Sequence, residues 1–169
     1  MLKKFGFFKK LSKKENIEQT VKNADEACKK IMTSKLSHLN ILDYTYTTSD
    51  AIEELGLDDE LVHQLVEDYV VQIIKSTIQF EKYLQELLEL KVANKTLDFT
   101  AFRDLAHKNL GVARNLRIKD GEAILYELMV RDDFEYLNDC LEALKACSVK
   151  LKPECAFNTL KLIEVKSSL

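Results

Sequence analysis

Helix-breaking residues are almost absent from this chain, which has only four glycines and one proline among its 169 residues. A fold rich in β-turns needs many more of them, because Gly and Pro supply the backbone angles of turns. Apolar residues instead recur every three or four positions along most of the sequence, which is the spacing of one buried helix face. These two observations predict an all-α protein made of long helices.

The apolar stripes divide the chain into helical segments joined by short loops, a pattern typical of an antiparallel up-and-down four-helix bundle. Further helices are predicted at its N- and C-terminal ends. The predicted bundle helices span about 59–91, 98–118, 120–131 and 134–151. Asp98 is expected to cap the second of them and residues 119–121 to form a turn before the third. Pro153 is well placed to begin the last helix of the chain.

The chain divides accordingly into three parts. We expect residues 1–14 to form a basic and flexible N-terminal segment, and residues 15–49 to form a helical extension followed by a connector. Residues 50–169 are predicted to form the helical bundle.

The basic segment holds six lysines and no acid, interleaved with Phe and Leu. Two interpretations remain open for it. It is either a solvated terminus or a weak anchor on anionic lipid, where each Lys would contribute about 1 kcal/mol. Because the whole chain has a net charge of −3, the remainder is strongly acidic. An acidic body argues against nucleic-acid binding.

The cysteines follow no metal-binding spacing and have no histidine arranged beside them as a zinc ligand. They are Cys28, Cys140, Cys147 and Cys155. We expect buried, reduced thiols rather than a metal site or a disulfide. No apolar run is long enough for a membrane span, and lysines interrupt any secretory signal. These features favour a cytoplasmic location, with the membrane surface as the alternative if residues 1–14 bind lipid.

The segment 105–116 combines a buried helix face with a distinctive exposed one. On a helical wheel of about 100° per residue, its apolar side chains lie within about 80° of Phe102. His107 lies about 140° from Phe102, while Arg103 and Arg114 lie about 100° and 120° from it. The helix is therefore expected to present the imidazole and two guanidinium groups to solvent.

Gly111 lies one turn after His107, about 180° from the buried face. A glycine in the middle of a helix costs roughly 1 kcal/mol relative to alanine. On an exposed face, this cost indicates a surface that another backbone approaches closely. The alternative interpretation is an ordinary surface histidine near a tight helix crossing or a helix end.

His107, Gly111, Ala113, Asn115 and Leu116 match the pattern His-x-x-x-Gly-x-Ala-x-Asn-Leu. This pattern resembles the core motif of histidine-containing phosphotransfer (Hpt) domains. The similarity covers about residues 50–150, where a long helix precedes the motif and two helical segments follow it. The resemblance implies an Hpt-like four-helix bundle with His107 as the phosphoacceptor.

The sequence departs from the family pattern at Leu110, where the family usually has Lys. Arg103, Arg114 and Lys108 are the candidates to replace that cation beside the phosphoryl group. Leu110→Lys is accordingly expected to speed phosphotransfer or to leave it unchanged. The resemblance also implies that Lys108 and Gly111 belong to the docking surface for a partner.

The sequence contains no P-loop, dinucleotide-binding turn or kinase ATP-binding signature. The resemblance therefore implies a phosphoryl carrier of a two-component phosphorelay rather than a free-standing enzyme. It would pass the group between a histidine kinase and a response-regulator receiver domain, or between receivers, with Mg²⁺ bound by the receiver and no cofactor or metal of its own. The alternative is a helical adaptor that binds these partners without phosphotransfer. In either case we expect a monomer.

Overall fold

The computed structural model describes residues 12–167, which form seven α-helices and one short 3-10 helix and contain no β-strand. The predicted all-α class is confirmed. The α-helices are α1 (Lys13–Met32), α2 (Ser49–Leu55), α3 (Asp59–Val92), α4 (Thr100–Asn115), α5 (Lys119–Val130), α6 (Phe134–Leu151) and α7 (Pro153–Ser167). The 3-10 helix spans Ser37–Leu39. None of the helices in this part of the chain has both the length and the apolarity needed to cross a bilayer.

Side-chain caps fix where three of the helices begin. Asp58 accepts a hydrogen bond from the Leu61 amide at the start of α3, and Asp133 accepts one from the Tyr136 amide at the start of α6. Ser12 and Glu15 form a reciprocal capping box at α1. These interactions satisfy amides that have no partner within the helix.

Two predicted boundaries are wrong. Residues 119–121 do not form a turn, because they are the first residues of α5. The helix of His107 is shorter than predicted and begins at Thr100, with Phe99 in the capping position. Asp98 still supports this helix, since it accepts hydrogen bonds from both the amide and the hydroxyl of Thr100.

The predicted basic segment 1–14 lies mostly outside the described residues. Its last part is helical, because Ser12 caps α1 and the helix starts at Lys13 rather than at Glu15. Lys13 also forms an exposed ion pair with Glu154 at 3.4 Å. Lipid binding by the segment stays a prediction.

Four helices contact one another in a cycle, α3 with α4, α4 with α5, α5 with α6, and α6 with α3. The first helix packs against α6 and α7, and α7 also contacts α3 and α6. The fully buried side chains of the cycle include Val66, Val70, Ile73 and Phe80 of α3, Phe102 and Leu110 of α4, Ile124, Leu125 and Leu128 of α5, and Leu137 and Leu144 of α6. The helix that carries His107 is therefore held by α3 on one side and by α5 on the other.

Candidate functional site

His107 lies in the middle of α4, and its side chain is exposed. The opposite face of α4 is buried through Phe102, Ala106 and Ala113, none more than 1% exposed. Phe102 packs edge-on against Phe80 of α3, with 5.0 Å between the ring centroids. The buried face thus fixes the rotation of α4 about its axis, and that rotation turns the imidazole outward, as the sequence predicts.

Gly111 lies one turn beyond His107 and faces open space. A Cβ atom added at this position would find no atom within 4 Å, apart from those of its own helix turn. Within residues 12–167, therefore, no crossing helix explains the glycine. The surface beside the imidazole is instead free for approach from outside.

The three cationic side chains predicted to lie near His107 differ in their contacts. The Arg103 guanidinium lies over the Phe99 ring, 5.2 Å from its centroid, and one turn before His107. Lys108 is the exposed residue directly after His107. Arg114 instead forms an ion pair with Glu122 of α5, with Nε donating to Oε1 at 2.9 Å. Since that partner already engages Arg114, Arg103 and Lys108 are better placed to screen a phosphoryl group.

Leu110 belongs to the core and not to the His107 surface, because only 1% of it is exposed. A lysine at this position would start from the buried face of α4. It would have to unpack the core to bring its ammonium group toward the imidazole. The structure thus removes the reason to expect faster transfer from Leu110→Lys.

Asn109 ties α4 to α3 through the core, a contact that the sequence reasoning missed. It is fully buried, and its Nδ2 donates to Ser76 Oγ at 3.1 Å and to the Leu105 carbonyl at 2.9 Å. The helical wheel could have predicted the burial of Asn109, because it lies within about 20° of Phe102, at the centre of the apolar face. A buried amide at such a position needs a partner, and Ser76 provides it.

The connector before α2 fixes the C-terminal end of α4. The Tyr46 hydroxyl donates to the Leu116 carbonyl at 2.8 Å, and the Tyr44 hydroxyl donates to the Arg117 carbonyl at 3.0 Å. Carbonyls at a helix C-terminus have no partner within the helix, so these bonds stabilise the corner between α4 and α5. The connector is a loop, as predicted, but its tyrosines have a structural role that their sequence did not indicate.

A polar groove of about 400 Å³ runs between α3 and α4 beside this face. Its α4 side is formed by Leu105 and Lys108, which flank His107 in the sequence. Its α3 side is lined by Asp68, Val71, Gln72, Lys75, Ser76 and Gln79. His107 itself does not line this groove, which lies on the Leu105 and Lys108 side of α4.

The exposed imidazole of His107 carries a ring nitrogen that can act as a nucleophile toward a group brought from outside. Among residues 12–167 there is no cluster of three or more His, Cys, Asp or Glu side chains that could bind a metal ion. The described part of the chain thus places an exposed imidazole, two exposed cationic side chains and an open glycine position on one helix.

No protein-family model matches the chain, and no curated protein or solved structure shows significant similarity to it. The interpretation of this site therefore depends on the motif around His107 and on the geometry of α4.

Proposed function

We propose that the protein is a histidine phosphotransfer protein of a two-component phosphorelay, with His107 as the phosphoacceptor. The observation that carries this proposal is the exposed imidazole in the middle of α4, one turn from a glycine with open space above it. A receiver domain has to bring its phosphorylated aspartate to within bonding distance of the imidazole. Such an approach needs an unobstructed surface of this kind.

The contacts among the helices support an Hpt-like architecture. The cycle of contacts through α3, α4, α5 and α6 is what an up-and-down four-helix bundle requires. Of the other described α-helices, α1 and α7 lie against α6 and α2 lies against α3, while His107 and Gly111 on α4 remain exposed. This arrangement supports docking of a partner onto α4.

The transfer step needs no cofactor on this chain. The unprotonated ring nitrogen of His107 attacks the phosphorus of a receiver's aspartyl phosphate, and a nitrogen–phosphorus bond forms. The bond between phosphorus and the carboxylate oxygen breaks, and the aspartate leaves with its electron pair. The proton on the other ring nitrogen stays in place, so that the product is a phosphoimidazolium. Mg²⁺ held by the receiver would neutralise charge on the phosphoryl oxygens.

Two cationic side chains near His107 would assist the transfer of the phosphoryl group. Arg103 lies one turn before His107 and Lys108 directly after it. Both are exposed and carry positive charge at neutral pH. They would screen the negative charge that remains on phospho-His107.

The test is transfer from purified receiver domains that have been loaded with radiolabelled acetyl phosphate. We expect wild type to acquire label that is stable in alkali and lost in acid, and His107→Gln to acquire none. His63→Gln is the matched control, because His63 is also exposed on a helix. Its only described partners are Asp59 and Lys152. Equal labelling of wild type and His107→Gln would refute the proposal.

A second candidate function is a helical adaptor that binds a receiver or kinase without accepting phosphate. It is favoured by the burial of Leu110 and by the ion pair of Arg114 with Glu122, which together leave the site with fewer free cations than the family pattern implies. The same experiment separates the two functions. An adaptor would bind receivers in a pull-down but take no label from any of them.

A further inference from the structure

Two cysteines that are 119 residues apart in sequence meet where α1 packs on α6. The Sγ atoms of Cys28 and Cys147 lie 3.9 Å apart. We propose that Cys28 and Cys147 are a redox-active pair, which peroxide converts into a disulfide that links α1 to α6. Cys140 and Cys155, the other two cysteines, are not part of this pair.

The two cysteines line a cavity that has room for a small oxidant. Its volume is about 450 Å³, and both cysteines line it together with Asp120 and Lys150. One water molecule occupies about 30 Å³ in the liquid, so hydrogen peroxide fits many times over. Cys28 is buried and Cys147 is half-buried, so this cavity is the route to the pair.

The environment assigns different roles to the two thiols. The hydrogen bond with the Cys147 thiol lowers the pKa of Cys28, and the positive charge of Lys150 acts in the same direction, although burial and the charge of Asp120 oppose them. The same hydrogen bond, together with burial, raises the pKa of Cys147 well above its usual value. Cys28 is therefore the thiolate that attacks first, and Cys147 keeps its proton until the second step.

The chemistry balances with peroxide as the oxidant. The Cys28 thiolate attacks one peroxide oxygen, so a sulfur–oxygen bond forms, the oxygen–oxygen bond breaks and hydroxide leaves. Cys147 then attacks the sulfenic sulfur of Cys28. A sulfur–sulfur bond forms, and the oxygen leaves as water with the thiol proton. The hydroxide takes up the proton that the Cys28 thiol had released, so in total two thiols are oxidised to one disulfide and one peroxide is reduced to two waters.

The two sulfurs are near each other but not at bonding distance. A disulfide requires a sulfur–sulfur distance of about 2.05 Å, so the two Sγ atoms have to approach by rotation of their side chains. Both side chains come from helices that already pack on each other. The new bond would close a long loop between the two ends of the chain, which is the situation in which a disulfide restricts the unfolded state most.

Peroxide treatment of the full chain tests the proposal directly. After oxidation, free thiols are alkylated and the protein is digested with trypsin without reduction. Cleavage after Lys and Arg places Cys28 in the peptide 23–29, Cys147 in 146–150 and Cys140 in 132–145. We expect a covalent 23–29/146–150 pair that disappears on reduction. We also expect the number of alkylated cysteines to fall from four to two.

Thermal unfolding provides a second measurement that does not depend on the peptide map. Oxidised wild type should melt roughly 5–10 °C above the reduced protein, because of the long loop that the disulfide closes. Cys28→Ser and Cys147→Ser should each lose this difference, whereas Cys155→Ser should keep it. If a serine variant fails to fold, the peptide map of wild type still decides the question.

Three results would overturn the proposal. The first is a peptide map with no 23–29/146–150 pair. The second is a disulfide that joins Cys28 or Cys147 to Cys140, to Cys155 or to a second molecule. The third is conversion of Cys28 to sulfinic acid without a disulfide, which would mean that Cys147 does not reach it.

Discussion

Gly121 at the start of α5 lies directly against the hydroxyl group of Tyr69 on α3, so closely that a Cβ atom at position 121 would overlap the hydroxyl oxygen. Tyr69 is buried, with 3% of its surface exposed, and has little room to move aside. Gly111 offers the opposite case, because a Cβ there meets nothing within 4 Å. The same substitution should therefore have opposite effects at the two glycines.

Gly121→Ala is expected to reduce the free energy of unfolding by about 1–3 kcal/mol, because the methyl group has to displace a buried side chain. Gly111→Ala is expected to increase it by up to about 1 kcal/mol through helix propensity alone. Urea denaturation of both variants against wild type measures the difference. A loss of stability in Gly111→Ala would show that position 111 is more crowded than the structure has it.

The bond between Asn109 and Ser76 can be measured by a double-mutant cycle. Asn109→Leu alone leaves the buried Ser76 hydroxyl without its amide partner. A buried polar group without a partner lowers the free energy of unfolding by about 1–3 kcal/mol. Ser76→Ala alone likewise removes a partner from Asn109. The double variant replaces both polar groups by apolar ones and should be less destabilised than the sum of the single variants. Additive effects in urea denaturation would contradict a direct coupling.

Leu110→Lys is expected to destabilise the protein by about 2–5 kcal/mol, because it replaces a core side chain and brings a charge to the buried face of α4. We expect no gain in phosphotransfer rate. Leu110→Met is the control, since it retains an apolar side chain of similar volume and should cost less than about 1.5 kcal/mol. Thermal unfolding followed by circular dichroism gives the comparison. Wild-type stability with faster labelling in Leu110→Lys would contradict this account.

Asp120 should make stability depend on pH. Burial raises the pKa of its carboxyl group above the usual value of 3.8, although the Gly121 amide and Lys150 act in the opposite direction. The folded protein then holds this proton more tightly than the unfolded chain does. Asp120 therefore favours folding below pH 3.8, and this contribution is lost as the pH rises through the folded pKa.

Asp120→Asn removes the ionisable carboxyl group. In wild type the Gly121 amide donates to Asp120 Oδ1 at 2.7 Å, and the amide oxygen of asparagine can still accept this hydrogen bond. We expect it to be more stable than wild type at pH 7, with the difference shrinking toward pH 4. Asp132→Asn, at an exposed position between α5 and α6, is the control and should show no such pH-dependent difference. A constant difference for Asp120→Asn at all pH values would contradict the assigned cause.

Arg103 and Arg114 should differ in their effect on phosphotransfer. Arg103→Ala is expected to slow labelling of His107 by up to about fivefold, the effect of losing an exposed charge interaction of up to about 1 kcal/mol. Arg114→Ala should have a smaller effect, because its guanidinium is paired with Glu122 at 2.9 Å. Single-turnover transfer from the same phosphorylated receiver measures both rates. A larger loss in Arg114→Ala would mean that its ion pair opens when the partner docks.

The helices were predictable from the sequence because their periodicity is strong and the breakers are few. The wheel of α4 placed Phe102 in the core and His107 in solvent, and both positions agree with the structure. Contacts between segments that are distant in sequence were harder to predict from the sequence pattern. A turn was predicted at residues 119–121 because Gly121 is a common turn residue, whereas its actual role is to let α5 approach Tyr69.

The proximity of Cys28 to Cys147 could not be predicted either, because spacing along the chain says nothing about two side chains on different helices. The same holds for Tyr44 and Tyr46, which bond carbonyls some 70 residues further along. The sequence thus predicted what each helix buries. It did not predict which individual side chains would meet between helices, such as Asn109 with Ser76 or Cys28 with Cys147.

The position of α6 has a consequence for the order of events during synthesis. This helix contacts α1, α3, α5 and α7, yet it is translated after three of those four. On the ribosome, α1 has to wait until more than a hundred later residues have emerged before its apolar stripe can be covered. The nascent chain therefore exposes Ala24, Cys28 and Ile31 throughout that interval, when a holding chaperone has the greatest opportunity to bind them.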